Sequence, residues 1–277
     1  MKSPGRRSSW ALLTLCAAIL FPAGCTSTRA ESPWVSWTTL RLKARAVPLL
    51  TGRVEMHVDR SDERTLLATQ TQARFLGAVI ARSRTESILE PATLRTRLHT
   101  VISKDRARRY TFDKNGYTME KLKAAGDTEA SLADWTVGSS SRHDAPVDEA
   151  GAHVALYDYY AMLLRLRRSG LDKPGDSVTL YVATKDGPRA YTITVGEARA
   201  GKRTFTDLST GRDKTLPTRE LRLRVVPADP GHADEGFLDM EGETELWVEA
   251  ESKTLLQIAG NVPKVPGRIR LTLAAMG

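Results

Sequence analysis

From Trp34 onward, apolar and polar residues alternate with a period of two more often than they recur at helical spacing. Leu40, Leu42, Ala44 and Ala46 alternate with Arg41, Lys43 and Arg45; Leu221, Leu223 and Val225 with Arg222 and Arg224; Ile269, Leu271 and Leu273 with Arg268 and Arg270. Successive side chains of a strand point to opposite faces, so these runs predict half-buried strands with one wet face. Asn115-Gly116 between Arg108–Asp113 and Tyr117–Lys121, and Asp186-Gly187 between Val178–Thr184 and Arg189–Val195, carry the turn chemistry of short hairpins. Antiparallel pairing follows. Residues Asp127 to Ala152, rich in Gly, Ser and Asp, read as one long loop, and no fixed-period repeat is present.

One stretch departs from the period of two. Between His153 and Ser169, Val154, Tyr157, Ala161 and Leu164 fall at helical spacing, with Tyr160 and Leu163 beside them. Arg165, Arg167 and Arg168 gather where positive charge suits a helix C-terminus, and Gly170 follows as a stop. The expected fold is mainly β (α+β): a curved antiparallel sheet or half-barrel with one long amphipathic helix packed against it.

These helix residues also carry a resemblance. Tyr157-Asp158, then Ala161-Met162-Leu163-Leu164 and Leu166-Arg167, resemble the helix segment of a bacterial family catalogued as domain of unknown function 3108. Ser87-Ile88-Leu89-Glu90-Pro91, Leu246-Trp247-Val248 and Gly267-Arg268-Ile269-Arg270 agree in order, so the likeness covers roughly residues 80 to 275; Leu255-Leu256 departs from the family's usual Leu-Pro. Asp158, Arg167 and Trp247 are the family-like positions. The resemblance implies an envelope location and a curved antiparallel sheet similar to periplasmic lipoprotein carriers. It carries over no catalytic residue.

The N-terminus changes the picture of where the protein acts. Lys2, Arg6 and Arg7 precede an apolar run from Trp10 to Phe21, too short for a finished membrane span, and Pro22-Ala23-Gly24-Cys25 follows. A cysteine after Ala-Gly resembles the lipobox of bacterial lipoproteins, although Pro22 stands where Leu is usual; an ordinary signal cleaved near Ala30 is the alternative. Arg6-Arg7 lacks the usual continuation of a twin-arginine signal, so the general secretion route is expected. The resulting division is a lipoprotein signal peptide over residues 1–24, a lipidated tether over 25–33 reaching at most about 25 Å, and a single β-rich domain over 34–277. Cys25 would be acylated, and acylation with several chains holds a protein on a membrane. Thr26 after it implies outer-membrane sorting, facing the periplasm.

Composition refines this. The 277 residues hold two cysteines, and cleavage before Cys25 removes Cys16, so the exported chain has no thiol pair to oxidise. It also removes three of the 41 basic residues and none of the 33 acidic ones, lowering the charge from +8 to +5. Glu241, Glu243, Glu245, Glu249 and Glu251 lie in sequence between the Arg222/Arg224 and Arg268/Arg270 runs, so cross-strand Glu–Arg neighbours are expected rather than a free basic face. Trp247 falls in phase with these glutamates, which implies that this part of the face is covered, with the helix as the expected cover. A nucleic-acid partner is not expected, because few aromatics interleave with the basic residues.

Candidate chemistry is weak. Gly196-Glu197-Ala198-Arg199-Ala200-Gly201-Lys202-Arg203 approaches a phosphate loop but has Arg203 where the magnesium-binding hydroxyl belongs; a hairpin loop is expected instead. Ser139, Ser140, Ser141, His143 and Asp144 contain the residue types of a catalytic triad, but crowded in one polar segment. His57, His99, His143, His153 and His232 form no pair at zinc spacing, and Asp229, Asp234 and Glu235 fit no calcium loop. No cofactor and no metal are expected. The leading expectation is a non-enzymatic outer-membrane lipoprotein whose sheet binds a hydrophobic or envelope-derived ligand such as a lipid or glycolipid. An envelope scaffold docking protein or glycan partners is the alternative, and an unrecognised hydrolase a third reading. Tyr157, Tyr160 and Leu164 of the helix with Leu246 and Val248 of the sheet are the candidate cleft or core. A carrier predicts an open apolar-walled cavity of roughly several hundred Å³; a scaffold predicts a sheet sealed by its helix.

Overall fold

A computed structural model describes residues 36–47, 50–124, 132–232, 234–263, 265 and 267–277. The expected signal peptide, the expected tether and Cys25 lie outside the described residues.

Fifteen strands form a single sheet. They are β1 (Thr39–Val47), β2 (Leu50–Arg60), β3 (Thr65–Phe75), β4 (Ala78–Leu89), β5 (Thr96–Ser103), β6 (Arg106–Asp113), β7 (Gly116–Lys123) and β8 (Thr136–Asp144). After these come β9 (Leu156–Tyr157), β10 (Ser177–Thr184), β11 (Gly187–Asp207), β12 (Arg212–Pro227), β13 (Glu241–Glu249), β14 (Leu255–Asn261) and β15 (Arg268–Met276). Neighbours in sequence pair antiparallel, except that β9 runs parallel to β10 and that β8 and β9 do not pair; β1 joins the two halves by pairing with both β2 and β15.

The sheet curls until its ends meet. Its outermost strands are β8 and β9, and the seam between them is closed by side chains. Tyr117 of β7 donates its hydroxyl proton to the carbonyl oxygen of Thr184 at the end of β10, 2.6 Å away. Tyr110, Tyr117 and Met119 pack there with Ala145, Leu156 and Ala183. The pairing of β7 with β8 explains a glycine: a Cβ on Gly116 would lie 2.2 Å from the His143 carbonyl oxygen, a separation no side chain tolerates.

The alternating runs behave as strands should. Leu40 and Leu42, Leu221, Leu223 and Val225, and Leu271 and Leu273 are buried in one core, while the arginines between them lie on the other face. Arg222 meets Glu245 at 2.7 Å, Arg224 meets Glu243 at 2.6 Å and Arg268 reaches Glu245 at 3.5 Å. Such partly exposed pairs contribute about 0–1 kcal/mol each.

Both expected hairpins form, but their turns are Lys114-Asn115 and Lys185-Asp186, with Gly116 and Gly187 as the first residues of the returning strands.

Three expectations are corrected. The helix is short: α1 spans Tyr159–Arg165 and continues as a 3-10 turn through Leu166–Arg168, before Gly170 at φ +69°. Residues 153–158 are not helical, because Leu156 and Tyr157 add a strand to β10 and Asp158 then caps the helix, accepting from the amides of Tyr160 and Ala161. Residues 136–144 are no loop but β8, an exposed edge strand whose Ser-rich sequence shows no apolar alternation. Gly196–Arg203 is neither a phosphate loop nor a hairpin loop; it lies inside β11, with a bulge between Val195 and Glu197.

That long strand covers Trp247. The end of β11 pairs parallel with the end of β15, Thr206 opposite Ala275, so β11 to β15 close on themselves. Arg199 lies 3.8 Å from the Trp247 ring centroid, and the indole donates to Glu245 at 2.8 Å. The cover is thus a guanidinium from β11 rather than the expected helix. Glu220, 2% exposed, accepts from both Arg199 and Arg203 beneath it.

Candidate functional site: a cavity inside the curled sheet

Helix α1 lies inside the curl, its Ala161, Met162, Leu163 and Leu164 packed into the core. It fills one part of the interior and leaves another open. Beside it is a cavity of about 720 Å³, within the range of small-molecule sites. One wall comes from the inner faces of β1 to β6. The opposite side is made by α1, the β10–β11 turn, residues 234–240 and the β14–β15 connection at Val262, Pro263 and Val265.

The lining mixes two chemistries, with Val54 beside Thr71 and Val101 beside Thr85 on neighbouring strands. Leu50, Val54, Val101, Ile258, Val262 and Leu271 supply its apolar part. Opposite α1, β3 to β6 contribute Thr71, Ser83, Thr85, His99 and Tyr110, an inner sheet face built from hydroxyls and an imidazole where a packed core would have Leu or Val. Tyr160 of α1 approaches Thr71, the hydroxyls 3.5 Å apart. Thr85 is buried, and its Oγ1 has no hydrogen-bond partner among the described residues. A buried hydroxyl left unpaired costs about 1–3 kcal/mol, so this wall is suited to receive a polar group.

The aromatic side is fixed. Tyr159 and Tyr191 share a hydroxyl contact at 3.3 Å, and Phe237 meets both rings edge-on at 5.2 and 5.7 Å. Burial pushes the phenols of Tyr110, Tyr159 and Tyr160 up, so they remain protonated donors. Charges at the rim are largely internal pairs: Arg189 bridges to Glu235 and lies 3.8 Å from Asp186, and Arg53 meets Glu55.

Ser87, His99 and Asp158 sit together beneath the cavity, and their geometry is informative. Ser87 Oγ lies 2.9 Å from His99 Nδ1, and Asp158 Oδ2 lies 3.8 Å from the same nitrogen. A nucleophilic triad needs the serine on one ring nitrogen and the carboxylate on the other; here both compete for Nδ1. Asp158 is engaged structurally, capping α1 and accepting from Thr96 Oγ1 at 3.1 Å. Burial lowers the His99 pKa despite the attraction of the Asp158 carboxylate, which favours the neutral ring. In the serine-rich strand β8, Ser141 meets His143 at 3.0 Å, but Asp144 is turned to Arg142. Asp229 accepts from the Gly231 amide and Glu235 is spent on Arg189. Among the described residues no group of three or more His, Cys, Asp or Glu could hold a metal ion, and no helix is long and apolar enough to cross a membrane.

Of the residues singled out from sequence, Tyr160 borders the cavity, whereas Tyr157, Leu164, Leu246 and Val248 belong to the packed core. Asp158 is the helix cap. Arg167 lies against the Trp37 ring at 5.3 Å and donates to Thr254, and burial lowers its pKa to about 10. Trp247 lies under Arg199, away from the cavity. The polar wall escaped sequence reading: Thr71, Ser83 and Thr85 alternate correctly along β3 and β4, but an alternation of Thr and Ser with Gln and Arg has no apolar phase to detect.

Comparison with known proteins yields structural likeness alone. The chain is similar to a β-barrel-like protein of domain of unknown function DUF1849 from Brucella abortus, with a TM-score of 0.49 and 9% identity over 86% of this chain and 95% of that one. It is also similar to a protein from Parabacteroides distasonis provisionally named a lipoprotein, with a TM-score of 0.27 and 8% identity over 87% of this chain and 94% of the other. No family model matches the chain and no curated protein matches it. The likeness to the 3108 family therefore rests on the motifs quoted above.

Proposed function

We propose that this protein is a non-enzymatic envelope carrier that holds one amphiphilic molecule, a lipid or glycolipid, inside its curled sheet. The observation that carries the reading is the cavity of about 720 Å³ whose lining sets apolar side chains beside hydroxyls, Val54 next to Thr71 and Val101 next to Thr85 on neighbouring strands. A sheet built only to display its outer face would gain by filling that space, since unfilled volume costs packing energy. An acyl chain would lie along Val54, Val101 and Ile258, and the head group would take hydrogen bonds from Thr85, Tyr110 and Tyr160. Acylation at Cys25, facing the periplasm from the outer membrane, is part of the same proposal and is supported by the lipobox-like sequence Pro22-Ala23-Gly24-Cys25. The shared Nδ1 of Ser87, His99 and Asp158 supports the non-enzymatic part.

Filling the cavity tests the reading. Val101→Trp places an indole in the open space beside the hydroxyl wall. The carrier reading expects at least a tenfold loss in affinity for a fluorescent fatty acid, about 1.4 kcal/mol, with the thermal midpoint nearly unchanged. Equal dye affinity in the variant would reject the cavity as the binding site.

A further inference from the structure

The β3–β4 hairpin ends in a short apolar tip that nothing among the described residues covers. Phe75, Leu76, Val79 and Ile80 are 44%, 66%, 49% and 56% exposed. The two turn residues, Leu76 and Gly77, have φ of +50° and +82°, the conformation of a hairpin turn that favours Asn-Gly. Leucine at the first of these positions is disfavoured twice, by its backbone conformation and by its contact with water. The second penalty is relieved if the tip enters an apolar medium, while the first is a standing cost of keeping leucine at the turn.

Charge states which medium. Residues 65 to 85 contain Arg74, Arg82 and Arg84 and no acidic residue; Arg84 is paired with Glu86, so Arg74 on one strand and Arg82 on the other are the guanidinium groups that flank the apolar apex. Long cationic side chains at the foot of an apolar segment fit an interface with anionic head groups above and acyl chains below. The tip also adjoins the cavity: Ile80 and Ala73 of the hairpin and Leu50, paired to Phe75, are on its lining.

We infer that the β3–β4 tip is a membrane-inserting finger that docks the cavity mouth on a bilayer bearing anionic lipid. Its purpose, passage of the ligand between bilayer and cavity, rests on the carrier reading; its binding to lipid does not.

The test uses the mature chain, residues 25–277, with Cys25→Ala, so that neither an acyl anchor nor the apolar run of residues 10–21 contributes, and vesicles of phosphatidylethanolamine and phosphatidylglycerol at about three parts to one. The chain is expected to sediment with these vesicles and to bind phosphatidylcholine vesicles at least tenfold more weakly. Adding Leu76→Asn, which suits the turn and so preserves or raises the thermal midpoint, should weaken binding to the anionic vesicles at least tenfold, the share of one buried leucine. Arg82→Gln should weaken binding to anionic vesicles only. Unchanged binding by Leu76→Asn, or no binding by the parent, overturns the proposal. Sedimentation of the parent as a dimer that Leu76→Asn converts to monomer also overturns it, assigning the tip to a second copy. Fatty-acid dye affinity separates the two readings: Leu76→Asn should keep it, whereas vesicle binding without any dye binding would retain the finger and discard the carrier.

Discussion

Asp158→Ala is expected to cost about 2–4 kcal/mol, because one side chain performs two structural tasks. It is 1% exposed. Its Oδ1 accepts from the amides of Tyr160 and Ala161 at 2.9 and 3.0 Å, capping α1, and loss of a cap costs about 1 kcal/mol with a range of roughly 0.5–2. Its Oδ2 accepts from buried Thr96 at 3.1 Å, a bond to a charged acceptor worth about 1.5–3 kcal/mol. At about 2–4 °C per kcal/mol for a domain of this size, the midpoint should fall about 5–15 °C. Asp158→Asn keeps the capping oxygen but puts an amide NH2, which cannot accept from Thr96, in place of Oδ2, so it should lose the Thr96 share of about 1.5–3 kcal/mol and retain that of the cap. Thermal unfolding followed by circular dichroism, with urea titrations alongside, measures both. Equal losses in the two variants would show that the cap contributes nothing; a loss under about 1 kcal/mol in Asp158→Ala would refute the reasoning altogether.

Leu164→Asp places an unpaired charge in the core under the sheet and should destabilise by about 4 kcal/mol or more; an unchanged urea midpoint would mean that α1 does not pack there. His99 confers a pH dependence. Burial holds its folded pKa below the ordinary 6.5, so the unfolded chain takes up the proton first. The contribution is complete above pH 6.5 and is lost as pH falls toward the folded pKa. His99→Gln should flatten this part of the stability profile, and parallel profiles for the two proteins would refute the assignment. Cys25→Ala should leave the fold intact and release the protein from membranes; a variant that still fractionates wholly with the outer membrane would reject the anchor.

Much of the sheet was legible because its apolar face obeys a strict period of two: Leu221, Leu223 and Val225 are buried, and the intervening arginines meet the glutamates of β13 as expected. The helix was overextended because Val154 and Tyr157 match a helical phase by spacing alone, while a two-residue strand beside β10 decides their conformation. Trp247 was recognised as covered, but its cover comes from Arg199, on another strand. Such a contact follows from the bend at the β11 bulge and the closure onto β15, neither of which local periodicity encodes. The cavity was invisible for a related reason. Sequence patterns report which residues avoid water, and the wall of Thr71, Ser83, Thr85 and His99 is interior without being apolar. Conversely, the apolar residues Phe75, Leu76, Val79 and Ile80 stand at an exposed tip.

Native mass spectrometry of the exported Cys25→Ala chain tests the central claim most directly, with Val101→Trp measured alongside. The account predicts one lipid or glycolipid bound per chain after gentle purification, or after incubation with envelope lipids, and its loss in Val101→Trp. An unliganded mass that persists through incubation, or an adduct that Val101→Trp retains in full, would contradict it.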